Sequence, residues 1–187
     1  MDLLNTRLEI FYIISLARIK ILKEGRKQMT LNVGDSAPDF EFISDGGAVT
    51  KLHELDGIKI VYFFPKAFTP GCTKESCSIR DTYDDLKENG ISEVIGISTD
   101  SYETQKKFQK KYNLPFPIIS DNKKIISKAY KVYKNYLLTG FSKRVTYLID
   151  SNNKIVSVKD LGLKGGNSDY GLKNYGKELL ENIKIEN

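Results

Sequence analysis

The sequence predicts an α/β domain in which helices flank a mixed β-sheet. Apolar runs with the composition of buried strands alternate with segments of helical spacing along most of the 187-residue chain. Near the end of the chain, two strand-like runs are separated by four turn-forming residues, which is the pattern of an antiparallel hairpin. Strand–helix alternation followed by such a hairpin indicates a sheet with both parallel and antiparallel strands, and the length is typical of one domain.

The first elements follow a turn that is rich in Gly, Asp, Ser and Pro. A short strand is predicted at 39–43, and the segment 51–55 is long enough for one helical turn. The β-branched and aromatic run at 58–64 predicts a buried central strand, which Pro65 ends. After a short loop, 72–87 has helical spacing, and an Asn-Gly pair follows it as a stop signal.

The second half of the chain continues this alternation. Residues 99–101 supply hydroxyl and carboxylate acceptors that can cap the helix after them. The predicted elements are a strand at 92–98, a helix at 102–112, a short extended segment at 116–119, a helix at 123–133, hairpin strands at 144–149 and 154–158, and a closing helix at 170–183. This order is that of the thioredoxin-like fold, so we expect a mixed central sheet flanked by helices.

The first 29 residues differ in character from the rest of the chain. They form a dense apolar set broken by charges, and their longest uncharged run, 10–17, has eight residues. Such a run is too short for a membrane span and marginal for a signal-peptide core. It could be a peripheral amphipathic helix, a targeting leader, or translated sequence upstream of a true start at Met29. We favour the third interpretation and divide the chain into a leader at 1–29 and a thioredoxin-like domain at 30–187.

The net charge of +5 would suit a nucleic-acid-binding protein if it were concentrated on one face of the domain. Residues 1–28, with six basic and three acidic side chains, contribute three of those five charges. In the remaining chain the lysines are interleaved with acidic residues, as on an ordinary solvated surface. We therefore expect no nucleic-acid partner and no membrane span.

The chain has two cysteines, five positions apart, and one histidine. A secreted disulfide-stapled scaffold needs more bridges between more distant segments, and a bridge across so small a loop removes little chain entropy. Cys72, Cys77 and His53 also fall short of a four-ligand zinc site unless carboxylates or a second chain contribute. Redox chemistry in a reducing, cytoplasmic compartment is the favoured interpretation.

Cys72 stands where a strand and loop lead into a helix. The unpaired N–H groups and the positive dipole end of a helix N-terminus favour an anion, and the thiolate is the reactive form of cysteine. The alternative for Cys72 is a buried cysteine that acts as a small apolar residue. Thr69, in the loop, has a hydroxyl that could contact both a thiolate and an oxygen atom of a bound substrate, although it could also be a turn or capping threonine.

Cys77 lies on the same predicted helix as Cys72, and this placement has a mechanistic consequence. In an intact helix, Cα atoms five residues apart are separated by about 8–9 Å. A disulfide requires about 4.4–6.8 Å between its Cα atoms. If the two cysteines react with each other, the first turns of the helix must therefore unwind.

The string Pro65-x-x-x-Thr69-x-x-Cys72 resembles the active-site motif of the peroxiredoxins. With a second cysteine five positions on, the chain is similar to the bacterioferritin-comigratory-protein (Q-type) subfamily of the AhpC/TSA family, over about 31–183. The resemblance implies that Cys72 is the peroxidatic and Cys77 the resolving cysteine. It also implies that Arg144, at the start of a late strand, lies beside the Cys72 thiolate, and that Pro65 shields the pocket.

The resemblance implies a thiol peroxidase that reduces hydrogen peroxide and organic hydroperoxides through a Cys72 sulfenic acid and a disulfide with Cys77. A thioredoxin-like or glutaredoxin-like protein would regenerate the thiols, and no metal, flavin or haem is implied. Because resolution would occur within one chain, a monomer is expected. Two alternatives remain: a general disulfide oxidoreductase, whose usual Cys-x-x-Cys spacing is missing, and a redox-switched binding protein or chaperone.

Overall fold

The computed structural model describes residues 30–44, 47–136, 139–162 and 172–186. The predicted leader at 1–29 lies outside these residues, as does the first part of the predicted closing helix. The elements, in chain order, are β1 (Glu41–Ile43), β2 (Val49–Lys51), a 3-10 turn (Leu52–Glu54), β3 (Ile58–Phe63), α1 (Pro70–Asp81), α2 (Tyr83–Glu88), β4 (Ile91–Ser98), α3 (Tyr102–Lys111), β5 (Ile118–Ser120), α4 (Ile125–Ala129), β6 (Tyr133–Tyr136), β7 (Thr139–Ser142), β8 (Arg144–Ile149), β9 (Ile155–Gly162) and α5 (Tyr175–Glu186).

The central sheet has five strands in the order β5-β4-β3-β8-β9. β3, β4 and β5 are parallel to one another, whereas β8 is antiparallel to both β3 and β9. The mixed sheet and the thioredoxin-like element order predicted from the sequence are thereby confirmed. No helix within the described ranges is both long and apolar enough to cross a membrane.

Apolar side chains fill both faces of the sheet. Successive residues of β3 point to opposite faces, as strand geometry requires. Ile60 and Tyr62 join the core that packs against α1, α2, α3 and α5. Val61 and Phe63 join the other core, beneath the β1–β2 hairpin and the segment after α4. The strand that leads to the candidate site is therefore held rigidly from both sides.

The predicted helix at 72–87 is two helices. It begins two residues earlier, at Pro70, which suits the first helical position because proline has no N–H to pair. It breaks at Thr82, whose φ of −117° and ψ of 12° are not helical. The Thr82 hydroxyl donates to the carbonyls of Ser78 and Ile79, at 3.1 and 3.3 Å. Threonine side chains compete in this way with the backbone, and here a second helix, α2, begins at the next residue.

The predicted helix at 123–133 was too long. α4 has five residues, and Lys131 has a left-handed φ of 56°, so the helix cannot continue through it. Tyr130 follows the last residue of α4, and its side chain is buried in the core. There its hydroxyl donates to the Pro38 carbonyl at 2.9 Å. Tyr133 then starts β6, the first strand of a hairpin with β7 that the sequence analysis missed, as it missed β2.

Candidate active site

A strand and a rigid loop deliver Cys72 to the first turn of α1. The loop between β3 and α1 is anchored by the Ala67 N–H, which donates to the Asp100 carboxylate at 2.7 Å. Phe68 takes a left-handed φ of 63°, and its ring packs on Phe108 at 5.3 Å between centroids. Strained backbone of this kind persists only where its surroundings hold it in place. Cys72 follows in the first helical turn, where backbone N–H groups lack helical partners, and it is 1 % exposed.

The structure brings Arg144 to Cys72, as the sequence resemblance implied. β8 runs antiparallel to β3, with Val145 opposite Phe63, so Arg144 lies at the sheet edge where β3 ends. Its Nη2 donates to the Cys72 Sγ at 3.3 Å. Arg144 is 4 % exposed, and a guanidinium remains charged even when buried. A permanent positive charge therefore lies beside the sulfur.

Glu75 completes this charged group, and the sequence analysis missed it. It lies one helical turn after Cys72, on the same face of α1, and it is fully buried. Its Oε2 accepts a hydrogen bond from Arg144 Nη1. Burial raises the pKa of Glu75 to about 7, because desolvation outweighs the stabilising charge of Arg144. The helical spacing from Cys72 places Glu75 on the same face of α1. A glutamate on a helix is usually exposed to solvent, however, so this spacing alone does not predict a buried carboxyl.

Thr69 and Pro65 line the same pocket as Cys72. This open pocket, of about 450 Å³, is bounded by Pro65, Lys66, Thr69, Gly71, Cys72, Phe141 and Arg144. The Thr69 hydroxyl donates to the Lys66 carbonyl at 2.9 Å, which leaves the lone pairs of its oxygen free to accept a hydrogen bond from a ligand. Phe141, from the unpredicted β7, adds an apolar wall. Direct contact between Thr69 and the sulfur stays a prediction.

Cys77 is a free, half-buried thiol on the intact helix that also carries Cys72. Burial raises the pKa of the Cys77 thiol. The preceding residue is tied to the sheet, because the Ser76 hydroxyl and the buried Tyr62 hydroxyl are hydrogen-bonded at 3.1 Å. The helical separation of about 8–9 Å prevents a disulfide in this state. His53, by contrast, is exposed and its ring contacts the Ala37 carbonyl, away from the pocket.

The Glu75 carboxyl should make stability depend on pH. Its folded pKa of about 7 exceeds the usual value, so its contribution is fully present at low pH and is lost as the pH rises through about 7. Reduced wild-type protein should therefore lose, relative to Glu75→Gln, on the order of 2 kcal/mol of unfolding free energy between about pH 5 and pH 8. Urea unfolding at the two pH values measures this difference.

A second carboxylate provides the control for this prediction. Glu103→Gln removes an exposed carboxylate on α3 and should change the same pH difference by less than about 0.5 kcal/mol. Equal pH dependence in wild type and Glu75→Gln would show that Glu75 does not titrate in this range.

Comparison with known proteins places these observations in a family. The sequence profile of the AhpC/TSA family matches residues 33–158. Peroxiredoxin Bcp of Bacillus subtilis is 39% identical over 135 residues, which span 68% of this chain and 84% of that protein. Peroxiredoxin Bcp of Escherichia coli is 37% identical over 135 residues, or 70% and 86% of the two chains. The crystal structure of peroxidoxin BcpB from Mycobacterium tuberculosis superposes with a TM-score of 0.71 at 29% identity, covering 84% of this chain and 99% of that one.

Proposed function

This chain belongs to the AhpC/TSA family of peroxiredoxins and is a thiol peroxidase, and from that premise we propose that Cys72 attacks the hydroperoxide and Cys77 resolves the product. One observation carries the assignment of Cys72. Its sulfur lies in the first turn of α1, 3.3 Å from the Arg144 guanidinium, and it lines an open pocket. Two sources of positive potential therefore converge on one sulfur that a small molecule can reach.

In the first step, the Cys72 thiolate attacks the terminal oxygen of a hydroperoxide ROOH. The O–O bond breaks, Cys72 becomes a sulfenic acid, and RO⁻ leaves and takes a proton to give ROH. The Arg144 guanidinium, the Cys72 N–H and the Thr69 hydroxyl surround the place where the two oxygens would lie, and charge develops on those oxygens. Pro65 covers one side of the pocket, and having no N–H it needs no partner there.

In the second step, the Cys77 sulfur attacks the Cys72 sulfenic sulfur, an S–S bond forms, and the hydroxyl leaves with a proton as water. The first turns of α1 must unwind for this reaction, because the intact helix holds the sulfurs too far apart. A thioredoxin-like or glutaredoxin-like dithiol protein then reduces the disulfide by exchange and becomes oxidised itself. The open pocket, of about 450 Å³, has room for hydrogen peroxide and for small organic hydroperoxides. Resolution within one chain needs no partner subunit, which is consistent with a monomer. Two cysteines that serve redox chemistry suit a reducing compartment, the cytoplasm.

The Cys77→Ser variant tests this division of roles. With thioredoxin, thioredoxin reductase and NADPH, wild type should consume hydrogen peroxide over many turnovers, in proportion to the NADPH that is oxidised. Cys77→Ser should react once, at a rate within about threefold of wild type, and stall as a sulfenic acid because no second thiol is present. Stopped-flow kinetics and mass spectrometry of a sulfenic-acid adduct measure both results.

Thr73→Ser supplies a matched control, since it changes a half-buried residue of the same helix and leaves both thiols in place. It should turn over as wild type does. Sustained turnover by Cys77→Ser at the wild-type rate would refute the resolving role. Insulin reduction by wild type without peroxide consumption would instead favour a general disulfide oxidoreductase.

A further inference from the structure

A buried hydrogen bond joins β3 to the part of α1 that lies between the two cysteines. The Tyr62 and Ser76 hydroxyl oxygens are 3.1 Å apart, and both residues are fully buried. Ser76 directly precedes Cys77 in the chain and lies four residues after Cys72. Within the described ranges, Ser76 is the hydrogen-bond partner of the Tyr62 hydroxyl. None of the steps described above uses this contact.

The Tyr62 side chain is held in place by its neighbours. Its ring stacks on Phe64, with 5.6 Å between centroids, and meets the edge of Phe116 at 6.0 Å. The hydroxyl lies against Gly96 of β4, where a Cβ atom would come within 2.6 Å of the Tyr62 oxygen, so the glycine leaves room for it. The tyrosine therefore stays in place when α1 moves, and the partner that can leave is Ser76.

The change that a disulfide requires falls on the four residues between the cysteines. Residues 73–76 connect Cys72 to Cys77, so some of them must leave helical geometry before the sulfurs can meet. Unwinding that includes Ser76 takes its hydroxyl away from Tyr62. A buried hydroxyl without a partner raises the free energy of the unwound state. The Tyr62–Ser76 hydrogen bond thus favours the wound helix, in which Cys77 cannot reach Cys72.

We propose that Tyr62 controls the resolving step, because the unwinding extends through Ser76 and must break this hydrogen bond. The inference rests on the proposed function, in which Cys77 attacks the Cys72 sulfenic sulfur and water is released. While the helix stays wound, a second hydroperoxide can instead transfer an oxygen atom to the sulfenic sulfur, which gives a sulfinic acid and ROH. Tyr62 thereby sets how the sulfenic acid divides between disulfide and sulfinic acid.

The Tyr62→Phe variant keeps the ring and removes the hydroxyl. After one equivalent of hydrogen peroxide, its disulfide should form about three- to tenfold faster than in wild type, the factor expected for one neutral hydrogen bond. The rate of sulfenic acid formation should stay unchanged, because Tyr62 does not line the pocket. The peroxide concentration that converts half of the protein to sulfinic acid should rise by the same factor. Stopped-flow kinetics and mass spectrometry measure this split, which a general loss of stability would not produce.

Tyr147→Phe is the matched control, because it removes the hydroxyl of another buried tyrosine of the same sheet. That hydroxyl donates to the Tyr130 carbonyl at 2.9 Å, in the core on the opposite face. The control should form its disulfide at the wild-type rate. Ser76→Ala should speed disulfide formation, because the Tyr62 hydroxyl then lacks its partner even in the wound helix. In the Tyr62→Phe background, Ser76→Ala should give no further increase, since the partner is already absent.

Disulfide formation that is no faster than wild type in Tyr62→Phe and Ser76→Ala would overturn the proposal. If one of the two variants failed to fold, the other would decide. Amide hydrogen exchange in the reduced protein supplies a readout without peroxide, and residues 73–77 should exchange about three- to tenfold faster in Tyr62→Phe. Faster exchange with no disulfide in any variant would contradict the proposed function. Equal exchange in wild type and Tyr62→Phe would show instead that Tyr62 does not hold α1.

Discussion

Cys72→Ser should abolish peroxide consumption, reducing the rate to that of the assay without protein. A serine hydroxyl is not ionised at neutral pH, and its oxygen cannot be oxidised to the counterpart of a sulfenic acid. The two side chains have nearly the same shape, so the buried site keeps its packing and the loss reflects chemistry. The coupled NADPH assay and sulfenic-acid trapping by mass spectrometry measure it.

Cys77→Ser serves as the matched control for Cys72→Ser, because it is the same chemical change on the same helix. It should retain the first reaction with peroxide, whereas Cys72→Ser should lose both reactions. Consumption of even one equivalent of peroxide by Cys72→Ser, with an adduct on Cys77, would reverse the two assignments. The contrast depends on surroundings, since Cys72 has Arg144 and a helix N-terminus and Cys77 has neither.

The sequence was sufficient to predict those elements whose own residues carry a strong local signal. The apolar run at 58–64 became the buried β3, and the turn between β8 and β9 formed where Asp and Asn residues cluster. The errors came from tertiary contacts. Tyr130 fits a helical pattern, but the helix ends before it. Burial in the core and a hydrogen bond from its hydroxyl to the Pro38 carbonyl stabilise the side chain outside the helix. No periodicity within a segment can reveal such a preference.

The residues of the candidate site also differ in whether the sequence could predict them. Cys72 and Thr69 were predictable because a strand, a loop and a helix start determine their place in the chain. Arg144 is far away in sequence, and only the resemblance to a family indicated it. Glu75 was missed because it is a charged residue on a helix, and such residues usually face solvent. Its contact with Arg144 depends on how β8 packs against α1.

Arg144→Leu should slow the oxidation of Cys72 by about 100- to 1,000-fold. The variant removes the positive charge that lies 3.3 Å from the sulfur. In the proposed mechanism it also removes a donor to the peroxide oxygens. Arg144→Lys keeps a charge, but one ammonium cannot reproduce the two arms that reach Cys72 and Glu75 together, so we expect at least about a tenfold loss. Stopped-flow measurement of the first oxidation, in the Cys77→Ser background, isolates this step.

Arg144→Leu also leaves the buried Glu75 carboxyl without its partner. Since the loss of Arg144 raises the pKa of Glu75 further, the carboxyl is protonated at neutral pH, and a buried polar group without a hydrogen-bond partner costs about 1–3 kcal/mol of unfolding free energy. The double variant Arg144→Leu/Glu75→Leu separates the two effects. It should regain much of the lost stability, because no buried carboxyl remains without a partner, yet it should stay as slow as Arg144→Leu. If the double variant recovered its rate along with its stability, Arg144 would be a structural partner of Glu75. If the rate stays low while stability returns, the guanidinium acts on the reacting atoms themselves.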